Sequence, residues 1–188
     1  MKKKQITIAM LSLGLAALSM TSCKKDTDLV DVPVPDQNES EVITTFQITF
    51  TDAGGTQPTV TAVFQDLDGD GGNGPSLFDT IVLAPSTTYN AEIILLNETE
   101  TPADTISNEV LEEAAEHLFC FSPAGVDLNI TRTDTDGTYE LGLQSQWVTG
   151  VIGDGTTEIS LKHQPDVKDG TCTPGETDIE LNFVTKIQ

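Results

Sequence analysis

Two groups of residues in this chain have types and spacing suited to chemistry. The first is "QDLDGDGGNGP", residues 65–75, where Asp66, Asp68 and Asp70 alternate before a run of glycines. Alternating hard oxygens followed by Gly71 match the opening half of a twelve-residue calcium loop, whose glycine allows a sharp turn. The twelfth position is Leu77, where a bidentate Glu should close the shell. Strand-like segments rather than helices flank the loop. The expectation is therefore a modest calcium site at Asp66, Asp68 and Asp70, with affinity of about 0.1–1 mM. Asn73 and Asp79 are near enough to add oxygens. The competing reading is a long turn, built from residues that tolerate left-handed backbone and bond to their own main chain. The sequence establishes no cofactor, and calcium is the one that this loop suggests.

The second group is His117 and His163, the two histidines of the chain. Each borders an apolar strand-like run. In "TTEISLKH" the alternation puts Ile159, Leu161 and His163 on one face, so His163 points to the core side. A shared metal or haem needs the two rings to converge. Side chains more than about 8 Å apart cannot share an ion with bonds near 2 Å. Glu113 and Glu116 are further ligands within reach. The plainer expectation is a pair of hydrogen-bonded core histidines. Cys120 is three residues beyond His117, so on a strand the two face opposite ways. Cys120 sits in the apolar run "HLFCF" and Cys172 in the loop "DGTCTPG". A core position and a loop need not meet, so separate thiols are expected, with a Cys120–Cys172 disulfide as the alternative that an exported chain permits.

Other chemistry finds little footing. No serine sits in a nucleophile elbow, and no phosphate-binding loop or dinucleotide fingerprint appears. "GVIGDGTT" (150–157) is glycine-rich but has no following helix, so it reads as a hairpin loop. With 30 acidic residues in the chain, a pair of carboxylates carries no information about glycoside hydrolysis. The expectation is no enzyme. Trp147, Tyr89 and Tyr139 would suit a sugar-binding face, but Trp147 shares its face with Leu143 and Ser145 and is expected in the core.

The elements that must position these residues are mostly strands. "VITTFQITF" (42–50) puts Phe46, Ile48 and Phe50 on one face. "TVTAVF" (59–64), "FDTIVL" (78–83), "TTYNAEIILLN" (87–97), "VDLNITRT" (126–133), "LGLQSQWVTG" (141–150), "TTEISLKH" (156–163) and "TDIELNFVTKI" (177–187) follow, separated by Gly, Asp and Pro turns. "HLFCF" adds one more. Short strands so punctuated predict an antiparallel, immunoglobulin-like β-sandwich. One segment departs from this: Ile106, Val110, Leu111 and Ala114 recur near helical spacing, predicting a helix over about 107–116. Ser107 would cap its start, and Glu109 and Glu112 would favour the positive end of its dipole.

The N-terminus reads "MKKKQITIAMLSLGLAALSMTSC". Lys2–Lys4 precede an apolar run from Ile6 to Leu18, which has the length of a secretion signal and is too short to span a bilayer. "MTSC" resembles a bacterial lipobox, with Met20 in place of the commoner leucine. The resemblance implies cleavage before Cys23 and acylation of that residue. Two or more acyl chains anchor a protein stably, whereas one does so marginally. Lys24, rather than aspartate, after the cysteine resembles lipoproteins that leave the inner membrane. The expected location is the outer membrane, lipid-anchored, in either leaflet. Residues 1–22 are then a signal peptide, 23–40 a lipidated tether reaching at most about 55–60 Å, and 41–188 the folded domain. Losing residues 1–22 removes three lysines and takes the net charge from −21 to −24. So acidic a surface repels phosphate backbones, which excludes nucleic acid as a partner, and it leaves the lipid to hold the membrane.

"DLDGDGGNGP", "EEAAEH", "LKHQPDVKDGTC" and "GETDIELNF", in this order behind a lipobox, resemble a family of small Bacteroidota outer-membrane lipoproteins. Members are sometimes labelled type 1 periplasmic binding fold proteins, and no activity comes with the label. That label describes two α/β domains, whereas one helix and about nine strands describe an all-β chain. The expected function is a membrane-anchored, exported, non-enzymatic binding or structural module, with an unspecified protein or small-molecule ligand. The alternative is a metal- or haem-binding protein that uses His117 and His163.

Overall fold

The computed structural model describes residues 41–69 and 72–188. The expected signal peptide, Cys23, the tether and Asp70 lie outside the described residues. Strand alternation is expressed as two packed sheets. The larger holds β1 (Thr45–Asp52), β2 (Val60–Gln65), β3 (Leu77–Phe78), β5 (Thr88–Leu96), β7 (Leu128–Arg132) and β8 (Gln144–Thr149), in the order β3-β2-β1-β5-β8-β7. The smaller holds β4 (Ile81–Leu83), β6 (His117–Ala124), β9 (Gly153–His163) and β10 (Glu176–Ile187), in the order β4-β10-β9-β6. The all-β sandwich expected from the sequence is the fold. Its pairings are antiparallel except that β4 runs parallel to β10.

The interior is where the alternating residues meet. Phe46, Ile48 and Phe50 of β1 are fully buried, as are Phe119, Leu161 and Phe183 of the smaller sheet. Trp147 is buried as expected; its ring lies edge-on to Phe50 with centroids 4.9 Å apart, and its Nε1 donates to Ser145 Oγ at 2.9 Å. Tyr89 is buried too, its hydroxyl accepting from the Ala84 amide. Of the three aromatics suited to a sugar face, only Tyr139 is exposed.

Three local expectations are corrected. "FDTIVL" is not one strand: β3 belongs to the larger sheet and β4 to the smaller. Asp79 makes the break. Its amide donates to the Val63 carbonyl and its Oδ2 accepts from the Val63 amide, which ends the pairing with β2 and releases the chain to cross. "GVIGDGTT" is a hairpin loop only to residue 152, since β9 begins at Gly153. The helix α1 spans Ile106–Glu112 and is flanked by Thr105 rather than capped by Ser107. Ser107 lies inside it and accepts from the Leu95 amide of β5. Ile106 and Val110 face the core. The helix stops early because the chain must turn through 113–116 to start β6.

Candidate functional site

The site lies at the end of the smaller sheet where β6 begins, β9 ends and β10 begins. His117 is the direct cross-strand partner of His163. Both point inward with the row continued by Phe119 opposite Leu161. The rings stack, with centroids 4.8 Å apart and planes 9° from parallel. This is well inside the separation that a shared ion requires.

A third group arrives by a different route. β10 pairs Thr177 with Lys162 and then Ile179 with Leu161, so Asp178 is an extra residue in a β-bulge. Bulges re-aim side chains. Simple alternation would place Asp178 outside with Glu180; instead its side chain is 2% exposed and Oδ2 lies 3.9 Å from His117 Nε2. Gly175 makes the approach of β10 feasible. Its φ is +83°, and a Cβ there would sit 2.1 Å from the His163 carbonyl oxygen. Non-glycine residues rarely adopt such a φ.

Hydrogen bonding sets the tautomer of His117. The Glu113 carbonyl, at the C-terminal end of α1, lies 3.2 Å from Nδ1. A carbonyl only accepts, so Nδ1 carries the proton and Nε2 carries a lone pair. The same carbonyl also accepts from the Glu116 amide at 2.8 Å, so the ring shares an acceptor that the turn out of α1 already uses. Nε2 and Asp178 Oδ2 have no hydrogen-bond partner among the described residues, although both are buried. Burial lowers the His117 pKa to about 4, against the opposing effect of the Glu113 bond, so the ring is neutral near pH 7. Burial also pushes Asp178 up from its ordinary range, while His163 pulls it down. On the outer side Glu116 Oε2 lies 3.7 Å from His163 Nε2. Glu41 is raised to about 7, first by burial and then by the charges of Glu109, Asp178 and Glu113. One ligand atom each from His117, His163 and Asp178 fall within 4.8 Å of one another, and the same holds for Glu41, Glu113 and His117.

The other predicted sites are placed as follows. Cys120 and Cys172 are joined in a disulfide, with Cα atoms 6.1 Å apart. The expectation of separate thiols fails because Cys120 lies on the opposite face of β6 from His117, and the 164–175 loop folds back to meet it. Gln164 secures that loop, its amide donating to the Thr171 and Pro174 carbonyls at 2.9 Å each. In the acidic loop, Asp68 Oδ2 accepts from both the backbone and the side-chain amide of Asn73, a turn arrangement that holds its pKa down. Asp79, expected to add an oxygen, is engaged with Val63. Asp66 lines a cleft of ≈ 780 Å³ together with Glu41, Ile43, Phe64, Phe78 and Asp178. No protein-family model, curated protein or solved structure matches this chain.

Proposed function

We propose that the protein is an exported lipoprotein of the Bacteroidota outer-membrane type, held at the membrane by lipid on Cys23, and that its sandwich is a non-enzymatic binding or structural module. The observation that carries this reading is the pairing of Cys120 with Cys172 in a chain that begins with a lipobox-like leader. Disulfides persist in oxidising compartments and are rare in the cytosol. The cleft beside Glu41 and Asp178 supports a small-molecule or peptide ligand, and its acidic lining favours a cationic one. Replacing Cys23 with serine should move the protein from the membrane to the soluble fraction. Retention of the variant in membranes after a carbonate wash would show that another anchor holds it.

A metal-binding reading is favoured by the convergence of His117 and His163. A haem ligated by both histidines is not. Two axial imidazoles stand on opposite faces of a porphyrin, whereas these rings stack side by side with no room for a macrocycle between them.

A further inference from the structure

We propose that His117 Nε2, a ring nitrogen of His163 and one carboxylate oxygen of Asp178 form a binding site for a divalent transition ion of the zinc class. This rests on the metal-binding reading alone; lipid anchoring plays no part in it and is tested separately by Cys23→Ser.

Three adjacent strands each supply one ligand. β6 and β9 deliver the imidazoles through direct pairing, and the bulge in β10 delivers the carboxylate. These are the side chains that zinc takes, two nitrogens and an oxygen, and zinc sites with an open position have three protein ligands. Calcium and magnesium want six or more oxygens, which this buried corner does not offer.

The independent sign of a ligand is the polar mismatch inside the site. The His117 side chain is 1% exposed, and its Nε2 lone pair faces the carboxylate of Asp178 with no donor between them. Two buried acceptors left facing each other are destabilising, because burial strips their water and supplies no donor in return. A pair of ordinary core histidines would not explain that arrangement; a cation between the acceptors satisfies both. The Glu113 carbonyl holds Nδ1–H on the far side of the ring, which is how metal-ligating histidines are usually oriented. Ligands at 2.0–2.1 Å in a tetrahedron stand roughly 3.4 Å apart. Nε2 and Oδ2 are 3.9 Å apart, so loading draws them together and splays the stacked rings until each nitrogen points at the ion. Glu116, 3.7 Å from His163, is placed to orient that ring or to supply a fourth ligand. Glu41 and Glu113 each bring a carboxylate oxygen into a cluster with His117 whose ligand atoms lie within 4.8 Å of one another.

The test uses the full chain, purified in detergent without a histidine tag and stripped with EDTA. Zinc chloride is titrated against a chromophoric chelator, and cobalt(II) is added separately as a spectroscopic probe. The expected result is one zinc per chain, a thermal midpoint raised by zinc but not by calcium or magnesium, and the visible absorption bands of tetrahedral cobalt. Asp178→Asn keeps the shape of the side chain and should weaken zinc binding at least about tenfold. His163→Gln should do the same and abolish the cobalt bands. Circular dichroism of each variant establishes that it is folded, and Asp178→Asn carries the test if the histidine variant is not. Failure of the wild-type chain to bind zinc overturns the proposal. So does an equal response to zinc, calcium and magnesium, which would mark screening of a highly acidic surface, or wild-type affinity in the folded Asp178→Asn chain.

Discussion

The ammonium of Lys168 sits 2.7 Å from Asp136 Oδ2, with both side chains buried, and it also donates to the Ala114 carbonyl at 2.7 Å. Three connections thus meet at one cation: the 164–175 loop, the 134–140 turn and the link from α1 to β6. That link carries Glu113 and Glu116 towards the histidines. A chain with 9 basic residues spends one of them here.

Lys168→Met should therefore cost about 3 kcal/mol of stability, because it leaves the Asp136 carboxylate buried without its partner. Burial alone would raise the pKa of Asp136, but bonds from Lys168, the Tyr139 amide and the Thr138 amide outweigh it and hold the group at about 2 instead of 3.8. Its contribution is present above pH 3.8 and is lost as pH falls through about 2. Urea unfolding at neutral pH checks the substitution. An unchanged midpoint would mean that the pair contributes nothing.

Stability should also vary with pH through two groups of opposite sign. His117 titrates near 4 in the fold and at 6.5 when unfolded, so the unfolded chain binds more protons between these values and stability falls as pH drops from 6.5 to 4. Glu41 titrates near 7 in the fold and at 4.5 when unfolded, so the fold holds its proton longer and stability falls as pH rises from 4.5 to 7. Glu41→Gln should relieve the second loss. Its stabilising effect, measured in EDTA, should grow across that window and level off above it. A constant difference at every pH would contradict the crowded carboxylates around Glu41.

Reducing the disulfide, or replacing Cys120 and Cys172 together with serine, should lower stability by about 4 kcal/mol on the chain-entropy account for a separation of 52 residues. Chemical denaturation with and without reductant measures it. The strands should survive, since the sandwich core does not depend on the bridge.

Gly155→Ala should disrupt the pairing of β9 with β6. A Cβ at this position would lie 2.2 Å from the Ala124 carbonyl oxygen, which is backbone and cannot swing away. A loss on the order of 2–3 kcal/mol is expected. Gly153→Ala, where a Cβ meets nothing within 4 Å, is the control.

The acidic loop is tested by a thermal melt with EDTA and with millimolar calcium, magnesium serving as the control for charge screening. A calcium site at Asp66, Asp68 and Asp70 should give a calcium-specific rise that Asp68→Ala removes. Equal effects of the two ions would leave the Asp68–Asn73 bonds as the whole role of the loop.

Local pattern alone determined most of the strand segments and which of their residues face inward, but not the break of "FDTIVL" between the two sheets. Period-two alternation marks Phe46, Ile48 and Phe50, or Ile159, Leu161 and His163, because successive side chains on a strand point to opposite faces. It likewise located Trp147 in the core and one helix before "HLFCF". Partnership was decided elsewhere. That His117 meets His163 depends on the register of β6 against β9, and register is a property of two distant segments. Cys120 meets Cys172 only because the 164–175 loop folds back across the outer face of β6. Asp178 was invisible for a sharper reason. Alternation assigns it to solvent with Glu180, and no residue type nearby announces the bulge that turns it inward. A bulge forms where long-range pairing on both sides forces one extra residue into the ladder, so the carboxylate of the site exists only once three strands have assembled.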